Sequence, residues 1–195
     1  MIFNSENITW APEKSGGYFA FVNDSDTHDL IVDVGGISNF SNFTASFRNR
    51  PFFMHSKTGA SVDEIPYETQ FLMIKHSDGK YSVIIPLVEN VTRCALFGEN
   101  GHLKVTVETG DKNVHIKRAR ILYVTTGENL YKELEKTSKV LSENFGLKLK
   151  KDKETPEIYN KLGWCTWNAF GIDISEDKVT EGLQSFKEPG IEPRF

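Results

Sequence analysis

Two cysteines and five histidines are the side chains of this sequence best suited to metal binding or redox chemistry. Cys94 and Cys165 lie far apart and neither has a Cys-x-x-Cys neighbour, so their spacing favours neither a zinc site nor a disulfide scaffold. We expect both to be buried as small apolar side chains. The histidines also lack metal-ligand spacing; they are His28, His55, His76, His102 and His115. The sequence therefore predicts no metal site and no cofactor.

Carboxylates could act as an acid, a base or a nucleophile, and three of them cluster in the C-terminal part of the chain. Asp173, Glu176 and Asp177 lie just before or at the start of a predicted helix. A carboxylate in that place caps the first turn and interacts favourably with the positive end of the helix dipole. We therefore expect these groups to stabilise the helix, and we predict no catalytic residue among them.

The charge balance excludes several classes of partner. The 195 residues include 23 Lys and Arg and 27 Asp and Glu, which gives a net charge of −4 without a long run of one sign. A basic surface for nucleic acid is therefore not expected. No stretch approaches the roughly 18 apolar residues of a membrane span, and the N-terminus lacks a secretory signal pattern. We expect a cytoplasmic protein with no nucleic-acid or membrane partner.

Residues 1–127 show the alternation and the turn signals of an antiparallel β-sandwich. Leu103 and Val105 alternate with polar residues, which places one face of that strand on a core. Ser77-Asp78-Gly79 and Glu99-Asn100-Gly101 predict hairpin turns, because each puts a residue tolerant of positive φ before a glycine. The predicted strands are Gly17–Asn23, Asp29–Val34, Phe43–Arg48, Phe52–Ser56, Gln70–His76, Tyr81–Val88, Arg93–Phe97, His102–Glu108 and His115–Val124.

Residues 128–156 predict a linking helix followed by a charged linker. Apolar residues recur at three and four positions between Glu128 and Phe145, and Gly146 follows as a stop signal. The charged stretch Leu147–Pro156 is typical of a solvated linker. We therefore place a domain boundary in this stretch.

Residues 157–195 have the pattern of an α/β repeat. The apolar run Gly163–Trp167 predicts a strand, Ser175–Glu188 predicts a helix, and Ile191–Phe195 approaches a second strand. One β-α unit cannot bury its own apolar face. These residues therefore either pack on the sandwich or begin a (β/α)₈ barrel that is truncated here.

A tryptophan-rich segment and several shorter ones carry a family resemblance. The most specific segment is Gly163-Trp164-Cys165-Thr166-Trp167-Asn168-Ala169-Phe170, followed by Lys178-Val179, Glu181-Gly182-Leu183 and Gly190-Ile191-Glu192-Pro193-Arg194-Phe195. Supporting segments in the sandwich are Phe47-Arg48, Phe52-Phe53, Glu68-Thr69-Gln70, Ile85-Pro86-Leu87 and Val107-Glu108-Thr109-Gly110. Together they resemble the raffinose synthase and seed imbibition protein family over most of the chain.

The resemblance implies both a fold and an activity. Members of that family are α-galactosidase-like glycoside hydrolases and galactosyltransferases, in which an N-terminal β-supersandwich precedes a catalytic (β/α)₈ barrel. It implies that Trp167 and Asn168, at the end of the first barrel strand, bind substrate, with the Trp167 ring packed against galactose. Trp164 is expected to pack in a core. It also implies that the catalytic carboxylates lie beyond Phe195, so we expect this chain alone to be inactive.

The leading hypothesis is therefore the N-terminal part of an α-galactosidase-type hydrolase whose partner is a raffinose-like α-galactoside or galactose. Asn168 stands where the family commonly has aspartate, and Phe52-Phe53 stand where a tryptophan pair is common. These departures leave hydrolysis and galactosyl transfer, as in raffinose synthase, both open.

Two further hypotheses come from other functional classes. One is a free-standing carbohydrate-binding β-sandwich in which Phe52, Phe53 and Tyr81 form an aromatic platform. The other is a structural role, in which the sandwich braces a barrel or an oligomer. We also expect the sandwich or another copy of the chain to cover the apolar side of residues 157–195, because exposed tryptophans favour association. A homo-oligomer is one way to achieve that.

Overall fold

A computed structural model describes residues 8–187 and 189–190 of the chain. The chain divides into two compact units, Met1–Leu147 and Lys148–Phe195. We call their described residues the β unit and the C-terminal unit. The predictions made for Glu188 and for Ile191–Phe195 lie outside the described residues.

Within its described residues the β unit contains eleven strands. Each strand predicted there is present, although the last begins at Ala119 rather than at His115. Two short strands, β1 and β8, were not predicted. The strands are Thr9–Pro12 (β1), Tyr18–Val22 (β2), Asp29–Gly36 (β3), Phe40–Arg50 (β4), Phe53–Gly59 (β5), Thr69–His76 (β6), Tyr81–Pro86 (β7), Val88–Glu89 (β8), Thr92–Glu99 (β9), His102–Glu108 (β10) and Ala119–Gly127 (β11).

The strands form one curled antiparallel sheet with two arms. The main path runs β1-β2-β11-β7-β6-β9-β10-β3, while β4 pairs with β5 and β6, and β8 pairs with β9. The first arm comprises β1, β2, β11, β7, β6, β4 and β5; the second comprises β9, β10, β3 and β8. The arms are joined at the pair Thr69–Leu96 between β6 and β9. The prediction of a mainly β, antiparallel fold is confirmed, but the faces of the predicted sandwich belong to one continuous sheet.

The core of the β unit is built from both arms. Leu72 and Ile84 from the first arm and Leu96 and Val105 from the second are fully buried in one cluster. Inward-facing residues alternate with more exposed ones along these strands, as the period of a strand requires. Burial of this apolar surface is the main stabilising contribution to the unit.

Both predicted hairpin turns are confirmed. Gly79, in the turn from β6 to β7, has φ 85°, and Asn100 and Gly101, in the turn from β9 to β10, have φ 55° and 74°. Two successive positive φ values match the twist of the flanking strands, which is why Asn-Gly is favoured there.

The segment that connects β5 to β6 contains a short turn, and this turn is hydrogen-bonded to the second arm. The 3₁₀ turn Val62–Glu64 lies against Gly98 of β9, whose backbone N–H donates to the carbonyl of Ile65 at 3.1 Å. The backbone N–H of Gly101 donates to Asp63 Oδ1 at 2.8 Å. The connection is thereby held on the β9–β10 hairpin.

Three helices follow the strands: Leu130–Phe145 (α1), Trp167–Phe170 (α2) and Glu176–Lys187 (α3). The helix predicted over Glu128–Phe145 is confirmed as α1, which begins at Leu130. Its cap Asn129 accepts a hydrogen bond from the Lys132 backbone N–H at 3.1 Å, and Gly146 ends it with φ 66°. Val140 of α1 packs in a second cluster with Phe19 and Tyr123, on the side of β2 and β11 that faces away from the main core. Helix α1 therefore covers one outer face of the sheet.

Arg120 of β11 connects this helix to the sheet. Its guanidinium donates to Glu89 Oε1 at 2.8 Å from Nε and to Asn144 Oδ1 at 3.0 Å from Nη1. Its Cζ lies 5.1 Å from the ring centre of Phe19 and 4.2 Å from that of Phe145. One partly buried cation thus contacts β8, β2 and the end of α1.

Candidate functional site

The tryptophan-rich segment does not form the predicted strand. Residues 162–165 have no regular structure, Thr166 is a bend with right-handed helical backbone angles, and Trp167–Phe170 make one helical turn. The Phe170 N–H donates to the Thr166 carbonyl at 2.9 Å, and Gly171 ends the turn at φ 56°. The prediction of a strand over 163–167 is therefore wrong for the described C-terminal unit. A physical reason is that no other strand is described in this unit, and a single strand has no ladder to join.

Trp164, which we expected to pack in a core, is half-buried in the C-terminal unit. Its ring meets those of Phe170 and Phe186 edge to face, with centroids 5.9 Å and 5.1 Å away. Gly182 of α3 lies so close that a Cβ there would come within 2.3 Å of the indole. The indole therefore ties α2 to α3, and the family motif supplies both the tryptophan and the glycine that admits it.

Trp167 and Asn168, the residues expected to bind substrate, are adjacent and exposed at the start of α2. The Trp167 side chain is 66% exposed, unlike Trp164 in the same segment. An exposed indole face beside an amide that both donates and accepts can bind a ring that carries hydroxyl groups. Their role as a substrate site stays a prediction.

The three carboxylates singled out in the sequence, Asp173, Glu176 and Asp177, lie before or at the start of α3. Glu176 and Asp177 occupy the first turn, where negative charge is favourable. Ser175 caps the helix, because its Oγ accepts from the Lys178 N–H at 3.3 Å. The backbone carbonyl of Asp173 accepts from Lys178 Nζ at 2.7 Å. These positions agree with the capping interpretation.

The two cysteines differ in exposure. Cys94 is buried in the core of the β unit, and burial raises the pKa of its thiol to about 12. Cys165 is exposed, so the expectation that both are buried is wrong for Cys165. The thiol of Cys94 is thus kept protonated and unreactive at neutral pH.

The aromatic platform suggested by the sequence is not assembled. Phe52 and Phe53 are exposed in the β4–β5 hairpin with ring centres 5.2 Å apart. Phe47 of that hairpin pairs with Thr69 at the start of β6, whereas Tyr81 pairs with Lys75 near its end. Six residues of strand separate those positions by about 20 Å. Tyr81 therefore does not share a surface with the phenylalanines.

The sequence analysis missed a cleft in the β unit. It has a volume of about 350 Å³, and Trp10, Tyr18 and Thr126 are among the residues that line it. Trp10 belongs to the short strand β1, whose four residues end in proline and carry little strand signal. The sequence signal that could have indicated this cleft was Trp10, an isolated tryptophan that precedes the first predicted strand.

Two classes of feature are absent from the described residues. No group of three or more His, Cys, Asp or Glu side chains could hold a metal ion in the part of the chain that the structure describes. None of the helices described here is long and apolar enough to cross a membrane.

Similarity to known proteins identifies the family. Residues 3–195 match the family described as raffinose synthase or seed imbibition protein Sip1. This chain belongs to that family. The resemblance carried by the tryptophan-rich segment and the sandwich segments is thereby confirmed.

Two relatives in this raffinose synthase family show how much of a longer protein the chain spans. The chain is 34% identical to a stachyose synthase of Pisum sativum in an alignment 191 residues long, which covers 95% of this chain and 22% of that relative. It is 27% identical to a probable galactinol–sucrose galactosyltransferase of Arabidopsis thaliana in an alignment 208 residues long including gaps, which covers 97% of this chain and 28% of the relative. It therefore spans about a quarter of the length of these proteins.

Proposed function

We propose that this chain contributes the β-sandwich and the start of the catalytic barrel to an enzyme that removes the galactosyl group from raffinose-like α-galactosides. The observation that carries this proposal is the family match over residues 3–195, together with the motif Trp164-Cys165-Thr166-Trp167. In a longer chain, further strands would give residues 163–167 the partners that a barrel strand needs. The relatives' names support galactosyl chemistry, because they describe galactosyltransferases and a stachyose synthase.

In this proposal Trp167 and Asn168 bind the galactosyl ring. The indole face packs against the apolar C–H face of galactose, and the amide of Asn168 exchanges hydrogen bonds with its hydroxyl groups. The exposure of Trp167 supports this role, since a ring already packed in a core could not stack on a ligand.

Hydrolysis and transfer share their first step in this proposal. One carboxylate displaces the leaving group from the galactosyl carbon while a second, about 5–5.5 Å away, donates a proton to the leaving oxygen. Water then accepts the galactosyl group in an α-galactosidase, and a sugar hydroxyl accepts it in a transferase. We propose that both carboxylates lie outside this chain, that the parent is an α-galactosidase-type hydrolase, and that it is cytoplasmic. The relatives' names favour transfer as the second candidate.

The enzymatic proposal predicts that the purified 195-residue chain does not turn over an aryl α-galactoside above a buffer blank. The longer protein encoded by the reading frame beyond the codon for Phe195 is expected to release galactose from the same aryl α-galactoside. When sucrose is added, a transferase would instead form a trisaccharide. A sample purified from a host without α-galactosidase is the control. Turnover by the short chain would refute the assignment of the carboxylates, and a stop codon directly after Phe195 would refute the longer enzyme.

A separate prediction concerns association of the chain. The C-terminal unit exposes large apolar side chains, including Ile158 at 70% and Ile172 at 86%. Exposed apolar surface of this kind favours self-association, so we expect the purified chain to form a homo-oligomer in light scattering. The double variant Ile158→Lys/Ile172→Lys should shift it toward monomer, whereas Ile31→Lys, an exposed isoleucine of β3, should not. A monodisperse unmodified monomer would contradict this expectation.

A further inference from the structure

The cleft in the β unit lies where the core ends on the inner face of the first arm. Trp10 of β1 pairs with Ala20 of β2, and Tyr18 is two residues from Ala20 on the same face of that strand. The two aromatic side chains are therefore diagonal neighbours across the strand pair. Trp10 also packs against the main core cluster, which fixes one wall of the cleft.

A chain of hydrogen bonds leads from the buried His76 into this cleft. His76 Nδ1 lies 2.9 Å from the carbonyl oxygen of Ser38, and Nε2 lies 2.7 Å from Ser82 Oγ. Ser82 Oγ lies 2.7 Å from Thr126 Oγ1. His76 is 3% exposed and Ser82 is fully buried, whereas Thr126 is exposed and lines the cleft.

The carbonyl at one end sets the direction of these bonds. A carbonyl oxygen only accepts, so Nδ1 of His76 carries the hydrogen, and in that tautomer of the ring Nε2 accepts from the Ser82 hydroxyl. The oxygen of Ser82 then accepts the hydroxyl hydrogen of Thr126. The hydroxyl hydrogen of Thr126 is therefore used in the bond to Ser82, and its oxygen can accept a hydrogen bond from the cleft. A ligand at this point must donate a hydrogen bond, as a hydroxyl group does.

The rim of the cleft carries charges that cancel. Lys80 Nζ donates to Asp78 Oδ2 at 3.0 Å, and the Lys80 backbone N–H donates to Asp78 Oδ1 at 3.1 Å. A phosphate site would instead present unpaired cations. Asn39, at φ 54° in the turn before β4, adds a side-chain amide that both donates and accepts. The lining therefore suits a neutral ligand with several hydroxyl groups.

We propose that this cleft binds a neutral pyranose sugar, specifically a galactosyl unit of an oligosaccharide. Aromatic rings on one wall fit the apolar C–H face of a pyranose, and the acceptor of Thr126 together with the amide of Asn39 fits its hydroxyl groups. A volume of about 350 Å³ accommodates one or two sugar rings. The pyranose class follows from the cleft, whereas the choice of galactose rests on the proposed function. All the lining residues lie in the β unit, so the site would hold substrate or product sugar on the sandwich itself.

Titration of the ¹⁵N-labelled 195-residue chain with melibiose tests this site. We expect saturable shifts of the Trp10 indole N–H at millimolar sugar. Thr126→Val keeps the shape of the side chain but removes the acceptor, and should weaken binding about fivefold, as expected for one neutral hydrogen bond. Thr58→Val, at an exposed position on β5, is the matched control and should bind like the unmodified chain.

A second pair of variants distinguishes a loss of binding from a loss of folding. Tyr18→Ala should reduce binding by tenfold or more, because it removes an aromatic wall, while Tyr131→Ala on the exposed face of α1 should have no effect. Both variants should keep the methyl shifts of the core.

Three results would overturn the proposal. They are the absence of a Trp10 shift, an unchanged affinity in Thr126→Val, and binding of inorganic phosphate in preference to sugar. Equal binding of maltose would remove the specificity for galactose. A shift of the Trp167 indole without one at Trp10 would refute the cleft and leave the proposed function intact.

Discussion

Gly98→Ala is expected to cost the β unit about 4 kcal/mol of unfolding free energy, a large part of the stability of an ordinary domain. A Cβ on Gly98 would lie 1.7 Å from the carbonyl oxygen of Val62 and 2.6 Å from its carbonyl carbon. Both atoms belong to backbone, so no side-chain rotation relieves the clash. Either the connection between β5 and β6 leaves the β9–β10 hairpin or strand β9 shifts.

Urea unfolding followed by circular dichroism would measure this loss of stability. Gly36→Ala is a matched control, because Gly36 ends a strand of the same unit, has no positive φ, and meets only the Gly101 oxygen at 4.0 Å. It should change the free energy of unfolding by less than about 1 kcal/mol. Equal midpoints for the two variants would show that the turn is not held against Gly98.

Arg120→Ala is expected to destabilise the β unit by about 3 kcal/mol, because it leaves the partly buried Glu89 carboxylate without its cation. The variant also loses the two ring contacts and the bond to Asn144, so α1 should become the first element to exchange its amide hydrogens. Arg118→Ala provides the control, since Arg118 is exposed, has a ring contact with Phe21 at 4.6 Å, and acts on Glu89 through its charge rather than through a hydrogen bond. Its effect should stay below about 1 kcal/mol.

The pH dependence of Glu89→Gln gives an independent check on this ion pair. Burial alone would raise the pKa of Glu89, but hydrogen bonds from the side chain and backbone of Arg120 outweigh burial and lower that pKa below its usual 4.5. A lowered folded pKa stabilises the protein above the unfolded pKa, and the contribution is lost as pH falls through the folded value. The stability difference between Glu89→Gln and the unmodified chain should therefore be largest near neutral pH and shrink in acid. A difference independent of pH would contradict the ion pair.

Local sequence signals were sufficient for most of the β unit. The strands β9 and β10 and their hairpin could be predicted, because they depend on residues close together in the sequence. These signals are the alternation around Leu103 and Val105 and the Asn100-Gly101 turn. The bridge between Thr69 and Leu96, which makes one curled sheet from two arms, depends on how distant strands meet. No local pattern encodes it.

The candidate sites were harder to predict, for two physical reasons. The apolar composition of Gly163–Trp167 suits a strand, but a strand also needs a partner, and the described C-terminal unit supplies none. The lining of the cleft comes from β1, β2, the β3–β4 turn, the β6–β7 turn and β11, which are far apart in sequence. Trp167 could still be predicted as a substrate-binding residue, because that prediction came from the family motif and not from the predicted strand.

The pairing of β2 with β11 has a consequence for biosynthesis. Val22 of β2 pairs with Ala119 of β11, so roughly 100 further residues must be synthesised after β2 before its partner strand exists. At about 5–20 residues per second on the ribosome, that delay lasts about 5–20 s. During it, Phe19 and Phe21 lack the cover that α1 later provides. The nascent chain is therefore expected to need chaperone protection until residue 145 has left the exit tunnel.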